Sequence, residues 1–87
     1  MLIRVELFGI PRERAGTAIT EAQGTRLDEV LSDLARRFPR LAEACFLDGR
    51  LQPGYLANLN GQRFVSDPST ALVAGDSLLI LSADAGG

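Results

Sequence analysis

Residues 1–8 alternate strictly, with Met1, Ile3, Val5 and Leu7 apolar and Arg4 and Glu6 between them. That period of two predicts a strand with one buried face. Gly9, Pro11 and Gly16 follow, so FGIPRERAG reads as a turn or loop leading to a second, weaker strand near 17–22. The two strands make a hairpin. The period then changes: Leu27, Val30, Leu31, Leu34 and Phe38 recur at helical spacing, predicting an amphipathic helix. Thr25 is its expected cap, with Asp28 three residues on in capping-box fashion. Arg36 and Arg37 suit the negative end of the helix dipole, and Pro39 disfavours helical geometry at Phe38. A short helical turn is expected from Leu41 to Phe46.

Asp48 and Gly49 mark a turn, and 51–54 reads as a connecting stretch. Tyr55, Ala57 and Leu59 restore strand alternation. Asn60-Gly61 is a strong hairpin signal, because a type I′ turn needs positive φ at both central residues; the return strand is Gln62 to Val65. After turns at 66–70 and 74–76, the run Leu78, Leu79, Ile80, Leu81 lacks polar alternation, as in a strand buried on both faces mid-sheet. The order strand, strand, helix, strand, strand, strand predicts an α+β domain with one main helix across a mixed sheet. If the first and last strands are central neighbours, the terminal residues project off the sheet. The domain is expected over 1–82, with an exposed, mobile tail over 83–87.

Composition narrows what such a domain can do. Its 87 residues suffice for one core but not for a deep enclosed active site, so the chain is expected to act with partners. A formal charge of −2 argues against a broad nucleic-acid surface. No apolar run reaches membrane-span length, and Arg4 and Glu6 break up any secretory signal near the start. A soluble chain whose mature form begins near Met1 is the expectation. The single cysteine, Cys45, cannot make an internal disulfide, which agrees with a cytoplasmic setting. It lies among Leu41, Ala44, Phe46 and Leu47 and reads as a small apolar core residue rather than a persulfide carrier. Histidine is absent, removing the commonest general base and metal ligand; neither a metal nor a bound cofactor is expected. GTAITEAQG lacks the spacing and lysine of a phosphate-binding loop. All nine basic residues are arginine, so lysine-linked chains of this protein are excluded.

The chain ends in Ala83, Asp84, Ala85, Gly86, Gly87. Together with VELFGIPRERAG, LDEVLSDLARRFPRL, LANLNGQRF and GDSLLILSADAGG in that order, this ending resembles the MoaD/ThiS family of ubiquitin-like β-grasp sulfur carriers over nearly the whole chain. Length and the Arg12-Glu13 pair are closest to the MoaD branch, the small subunit of molybdopterin synthase. Members of that branch often carry prolines and an apolar residue just before the glycines, where this chain has Leu81, Ser82, Ala83, Asp84 and Ala85.

The resemblance implies that an adenylating enzyme of the MoeB/ThiF kind activates the Gly87 carboxylate with ATP. A sulfurtransferase or cysteine desulfurase then supplies sulfur, leaving a thiocarboxylate. It also implies a larger MoaE-like synthase subunit into which Ala83, Asp84, Ala85 and Gly86 thread. A carboxylate with pKa about 3.5 is ionised and a poor electrophile at neutral pH, so it needs such activation. Glycines suit a narrow channel because they lack side chains. The carrier is thus a substrate and subunit rather than an independent enzyme. Its sulfur is expected to feed molybdopterin synthesis, with thiamine, cysteine and transfer-RNA thiolation as alternatives. A ubiquitin-like modifier and a plain interaction domain with an accidental ending are the remaining classes. Arg12 and Glu13 read as solvated loop charges and Asp84 as a tail charge able to meet a basic groove on the activating enzyme.

Overall fold

The alternation at the start becomes strand β1 (Leu2–Phe8), with Ile3, Val5 and Leu7 buried. The computed structural model describes the backbone of residues 1–86 and the side chains of residues 1–84. The segment expected to be a loop is helix α1 (Ile10–Ala15). Proline and glycine bracket this helix instead of breaking it. Pro11 occupies the first turn, where its missing N–H costs no intrahelical bond, and Gly16 closes the helix in the left-handed region at φ 78°, donating its N–H to Arg12 C=O. Strand β2 (Ile19–Gln23) then pairs antiparallel with β1, completing the expected hairpin.

Helix α2 (Leu27–Arg37) buries Leu27, Val30, Leu31 and Leu34, while Phe38 packs half-buried beyond its end. Its start differs from the sequence expectation. Arg26 is the capping residue and makes no side-chain cap. Instead Glu29 reaches back, accepting from Thr25 N–H at 2.7 Å and from the Thr25 hydroxyl at 2.9 Å. Asp28 is engaged by Arg26 through two bonds of 3.1 Å. The leading N–H groups find partners across the chain: Leu27 donates to Thr70 C=O and Asp28 to Pro68 C=O, at 3.0 and 2.9 Å. The 66–70 turn is thus the cap that local sequence does not supply.

Helix α3 (Pro39–Cys45) is longer than the single turn expected, and Phe46 leaves it for β3 (Phe46–Leu47), which pairs with β4 (Arg50–Leu51) across the Asp48-Gly49 turn. Strands β5 (Tyr55–Leu59) and β6 (Arg63–Val65) form the second hairpin. Asn60 and Gly61 have φ of 57° and 70°, as a type I′ turn requires, and Gln62 N–H closes it onto Leu59 C=O at 3.0 Å.

The last strand, β7 (Ser77–Ser82), runs parallel to β1 and antiparallel to β5, giving the order β2-β1-β7-β5-β6. The first and last strands are neighbours, as the buried run near the end predicts. Ile3, Val5, Leu78, Ile80 and Ala57 meet Leu31, Leu34 and Leu41 in one core, all within 1% of complete burial. Burying a side chain of the larger kinds contributes about 2 kcal/mol of transfer free energy. Helices α2 and α3 pack on that face. On the opposite face Leu81 is buried and Leu79 half-buried, so the expectation of burial on both faces holds at Leu81 and in part at Leu79. The domain is the α+β, ubiquitin-like β-grasp arrangement, a mixed sheet with one main helix across it.

Candidate functional site at the tail root and the open sheet face

Because β1 and β7 are parallel with Phe8 opposite Leu81, the chain leaves the sheet where α1 begins. Ala83 N–H donates to Gly54 C=O at 2.8 Å, fixing the point of departure. From there Ala83–Gly86 takes one helical turn, α4, with Ala83 and Asp84 exposed. Of the five expected site residues, Ala83, Asp84, Ala85 and Gly86 lie in this turn, whereas Gly87 lies outside the described residues. Arg12, Glu13 and Arg14 are exposed on α1 beside this end of the sheet; Arg12 and Glu13 are solvated as expected, but on a helix rather than a loop.

Under the tail root, Tyr55 is opposite Ser82 in the β5–β7 register. Cys45 is completely buried among core residues. Burial pushes its thiol above the ordinary range, opposed by the Tyr55 hydroxyl and the charge of Arg14. A buried thiol held in its neutral form is a packing group rather than a nucleophile, which fits the sequence reading of Cys45. Among the described residues no group of three histidine, cysteine or acidic side chains could hold a metal ion. No described helix is long and apolar enough to cross a membrane.

Exposed sheet residues near the tail are the docking surface the resemblance implies, but which residues form it is not legible in the sequence. On the face away from the helices, β1 presents Leu2, Arg4, Glu6 and Phe8, the alternate set to its core residues. Phe8, Leu81 and Leu56 form one row across three strands. Ile19, Glu6, Leu79, Asn58 and Phe64 form the next, across five. Phe8 is 49% exposed and Phe64 62% exposed, large aromatic surfaces in water. Such a patch marks an interaction surface more often than ordinary surface does. Only the even-numbered phase of β1 could have signalled it, and that phase reads simply as the polar side of a strand until Phe8.

Strand β2 is one edge of the sheet. On β2 two outward backbone groups are bonded by α2: Asp33 accepts from Gln23 N–H at 2.9 Å, and Arg37 donates to Glu21 C=O. Asp33 is itself bonded by Arg36 and, at 3.1 Å, by Arg37. The Gln23 N–H and, less strongly, Arg37 hold its carboxyl below the usual carboxylate range, against the opposing effect of desolvation. This bonding blunts an edge that could otherwise pair with an added strand.

The ThiS family model matches residues 5–87. No curated protein gives a significant sequence match. SAMP1 from Haloferax volcanii is similar over the full length of both chains, with a TM-score of 0.84 at 24% identity. CysO in the Amycolatopsis orientalis BexX/CysO complex is 25% identical with a TM-score of 0.80, over 98% of this chain and 99% of that one. The putative molybdopterin converting factor subunit 1 of Pyrococcus furiosus is 20% identical with a TM-score of 0.76, over 94% and 97% of the two chains. The match across nearly the whole sequence, on a β-grasp domain, places this chain in the ThiS family of ubiquitin-like sulfur carriers.

Proposed function

We propose that the chain carries sulfur on its C-terminal carboxyl group and acts only with partner enzymes. The observation that supports this most is the exit of Ala83–Gly86 from the central strand pair, exposed at its start, beside an uncovered aromatic sheet face. A partner that covers the face receives the tail in its own active site.

In the proposed sequence a Gly87 carboxylate oxygen attacks the α-phosphorus of ATP on an adenylating enzyme of the MoeB/ThiF kind, and pyrophosphate leaves. The terminal sulfur of a persulfide, held by a sulfurtransferase or cysteine desulfurase, attacks the acyl carbon and AMP departs. A thiol opens the resulting acyl disulfide, becoming oxidised to a disulfide as the thiocarboxylate is released. No step needs an acid, base, metal or bound cofactor from the carrier. We place this chemistry in the cytoplasm, where thiols and persulfides stay reduced.

The sulfur acceptor we propose is the molybdopterin precursor on a larger MoaE-like subunit. Length and the Arg12-Glu13 pair support that branch, and the Pyrococcus furiosus neighbour carries the corresponding description. A second reading, a protein modifier, is favoured by the likeness to SAMP1 and uses the same activated Gly87 with a lysine of another protein as acceptor. ATP-pyrophosphate exchange with the adenylating enzyme from the same cells tests the common first step. Exchange that depends on this chain and vanishes when Gly86 and Gly87 are deleted supports the carrier; exchange indifferent to the deletion contradicts it. A branched peptide bearing the terminal glycine on a lysine would assign the modifier reading.

A further inference from the structure

Strand β6 is the other edge of the sheet, and the register fixes which of its backbone groups face outward. At the two ends of β5, Asn60 N–H donates to Ser77 C=O and Gly54 C=O accepts from Ala83 N–H, both at 2.8 Å. Even-numbered positions of β5 therefore turn their backbone groups towards β7, and odd-numbered ones towards β6. Leu59 C=O agrees, accepting from Gln62 N–H at 3.0 Å. Ala57–Val65 and Leu59–Arg63 are then the hydrogen-bonded pairs, and Phe64, opposite Asn58, points its N–H and C=O away from the sheet. Neither group is bonded among the described residues, whereas α2 bonds two outward groups of β2. Asn58 Oδ1, the one buried side-chain acceptor without a hydrogen-bond partner among the described residues, is closed to the outside; the backbone edge at Phe64 is open.

The surroundings of that edge are apolar and positively charged. The Phe64 ring is 62% exposed. With Arg50, Leu51 and Leu56 it lines a groove of about 380 Å³, to which Pro53 and Tyr55, flanking the tail's anchor at Gly54, also contribute. Arg50 and Arg63 are exposed and form no ion pair among the described residues.

We propose that an extended segment of a partner protein adds to β6 as a further strand, placing an apolar residue against Phe64 and acidic residues towards Arg50 and Arg63. Its main chain bonds Phe64 N–H and C=O at the usual strand separation of about 4.8 Å. Successive side chains alternate between faces, so the residue beside Phe64 lies on the open face and its neighbours lie on the side of Arg63. A basic segment is repelled by the two arginines. A second copy of this chain, adding by the same edge, brings the same two arginines to the joint. The placement rests on the reading that this chain works by docking to a partner, but it does not depend on the chemistry of Gly87.

The test is an amide NMR titration of the full chain at low ionic strength with a capped hexapeptide in which valine and glutamate alternate. The Phe64 amide should shift saturably and exchange more slowly with solvent, while the Gln23 amide on the opposite edge stays in place. Replacing glutamate by lysine in the peptide should weaken binding about fivefold, as suits exposed charge contacts. Phe64→Ala and Phe64→Pro both remove the ring, but only proline removes the outward donor, and an outward N–H is where an edge strand tolerates proline. The proline variant should therefore bind about tenfold more weakly than the alanine variant, the loss of one hydrogen bond. If Phe64→Pro fails to fold, an N-methylated peptide makes the same comparison from the other strand. Equal binding by the two variants, no preference for glutamate over lysine, no saturable shift, or a shift maximum on β2 would overturn the placement. So would protection of Phe64 that rises with protein concentration in the absence of peptide, which would assign the edge to a second copy. ATP-pyrophosphate exchange is read separately, so loss of the strand site and loss of carrier activity are distinguishable.

Discussion

Asn60 Nδ2 donates to Asp76 Oδ1 at 3.0 Å, while Asn60 Oδ1 accepts from Ser77 N–H at 2.8 Å. One side chain at the tip of the second hairpin therefore pins the start of the central strand. Asp76 completes the joint by accepting from Val73 N–H at 2.9 Å, and these bonds, led by that from Asn60, hold its carboxyl below the usual range. Since β7 leads directly into α4, this joint fixes one end of the strand that presents the tail.

Asn60→Ala loses both side-chain bonds and puts a β-carbon at φ 57° without the local compensation asparagine provides. The expected cost is about 2 kcal/mol of unfolding free energy. Asn60→Gly should recover part of it by relieving the backbone but not the bonds. Urea unfolding of the three proteins measures the order wild type, glycine, alanine; equal midpoints would mean the joint contributes nothing.

Asp33 gives the pH dependence its sign. Its folded pKa is depressed, so its contribution is fully present above the unfolded value of about 3.9 and is lost as pH falls through the lower folded value. Glu29, Asp67 and Asp76 are depressed as well and act in the same direction. Thermal unfolding should lose stability below about pH 4. Asp33→Asn should lower stability at neutral pH by about 1 kcal/mol and flatten the acid limb. A variant with an unchanged acid limb would show that the β2 edge clamp is not coupled to folding.

Asn58→Leu tests the unmatched acceptor from the side of stability. Replacing a polar group that has no partner by an apolar one of similar size is nearly neutral or stabilising. The melting temperature should therefore be unchanged or higher, unlike the loss expected at Asn60. A drop as large as that of Asn60→Ala would mean that Asn58 is satisfied within the chain.

The contrast among these three positions shows what the sequence carried. The strands were legible wherever burial imposed a period: Ile3, Val5 and Leu7, or the unbroken run through Leu81. So was the Asn60-Gly61 turn, whose backbone angles few other residue pairs adopt readily. Helix α1 was hidden because proline and glycine stop helices in their interiors but start and end them equally well. The α2 cap was misassigned because its partners, Thr70 and Pro68, are some forty residues away in sequence, beyond any local motif. The two-residue strands β3 and β4 are too short to show a period. The residues of the open face were not identifiable for another reason: Phe8, Phe64 and Asn58 come from three strands and share one face only through the sheet register. At the tail, the glycine ending was readable, but the helical turn over Ala83–Gly86 was not.

Gly86→Val should leave the melting temperature within about 1 °C of wild type, since the position follows β7, the last strand of the sheet. The same variant should lose most of its sulfur loading, because a branched side chain cannot follow glycine through a narrow channel. Normal loading of a folded Gly86→Val protein would sink the channel explanation.

The most direct measurement is the intact mass of the untagged protein from its own cells under reducing, metal-free conditions, with fragmentation of the C-terminal peptide. The carrier account predicts a fraction in which one oxygen of the Gly87 carboxylate is replaced by sulfur. An unmodified carboxylate throughout, even after addition of ATP, a persulfide source and the cognate adenylating enzyme, would contradict it.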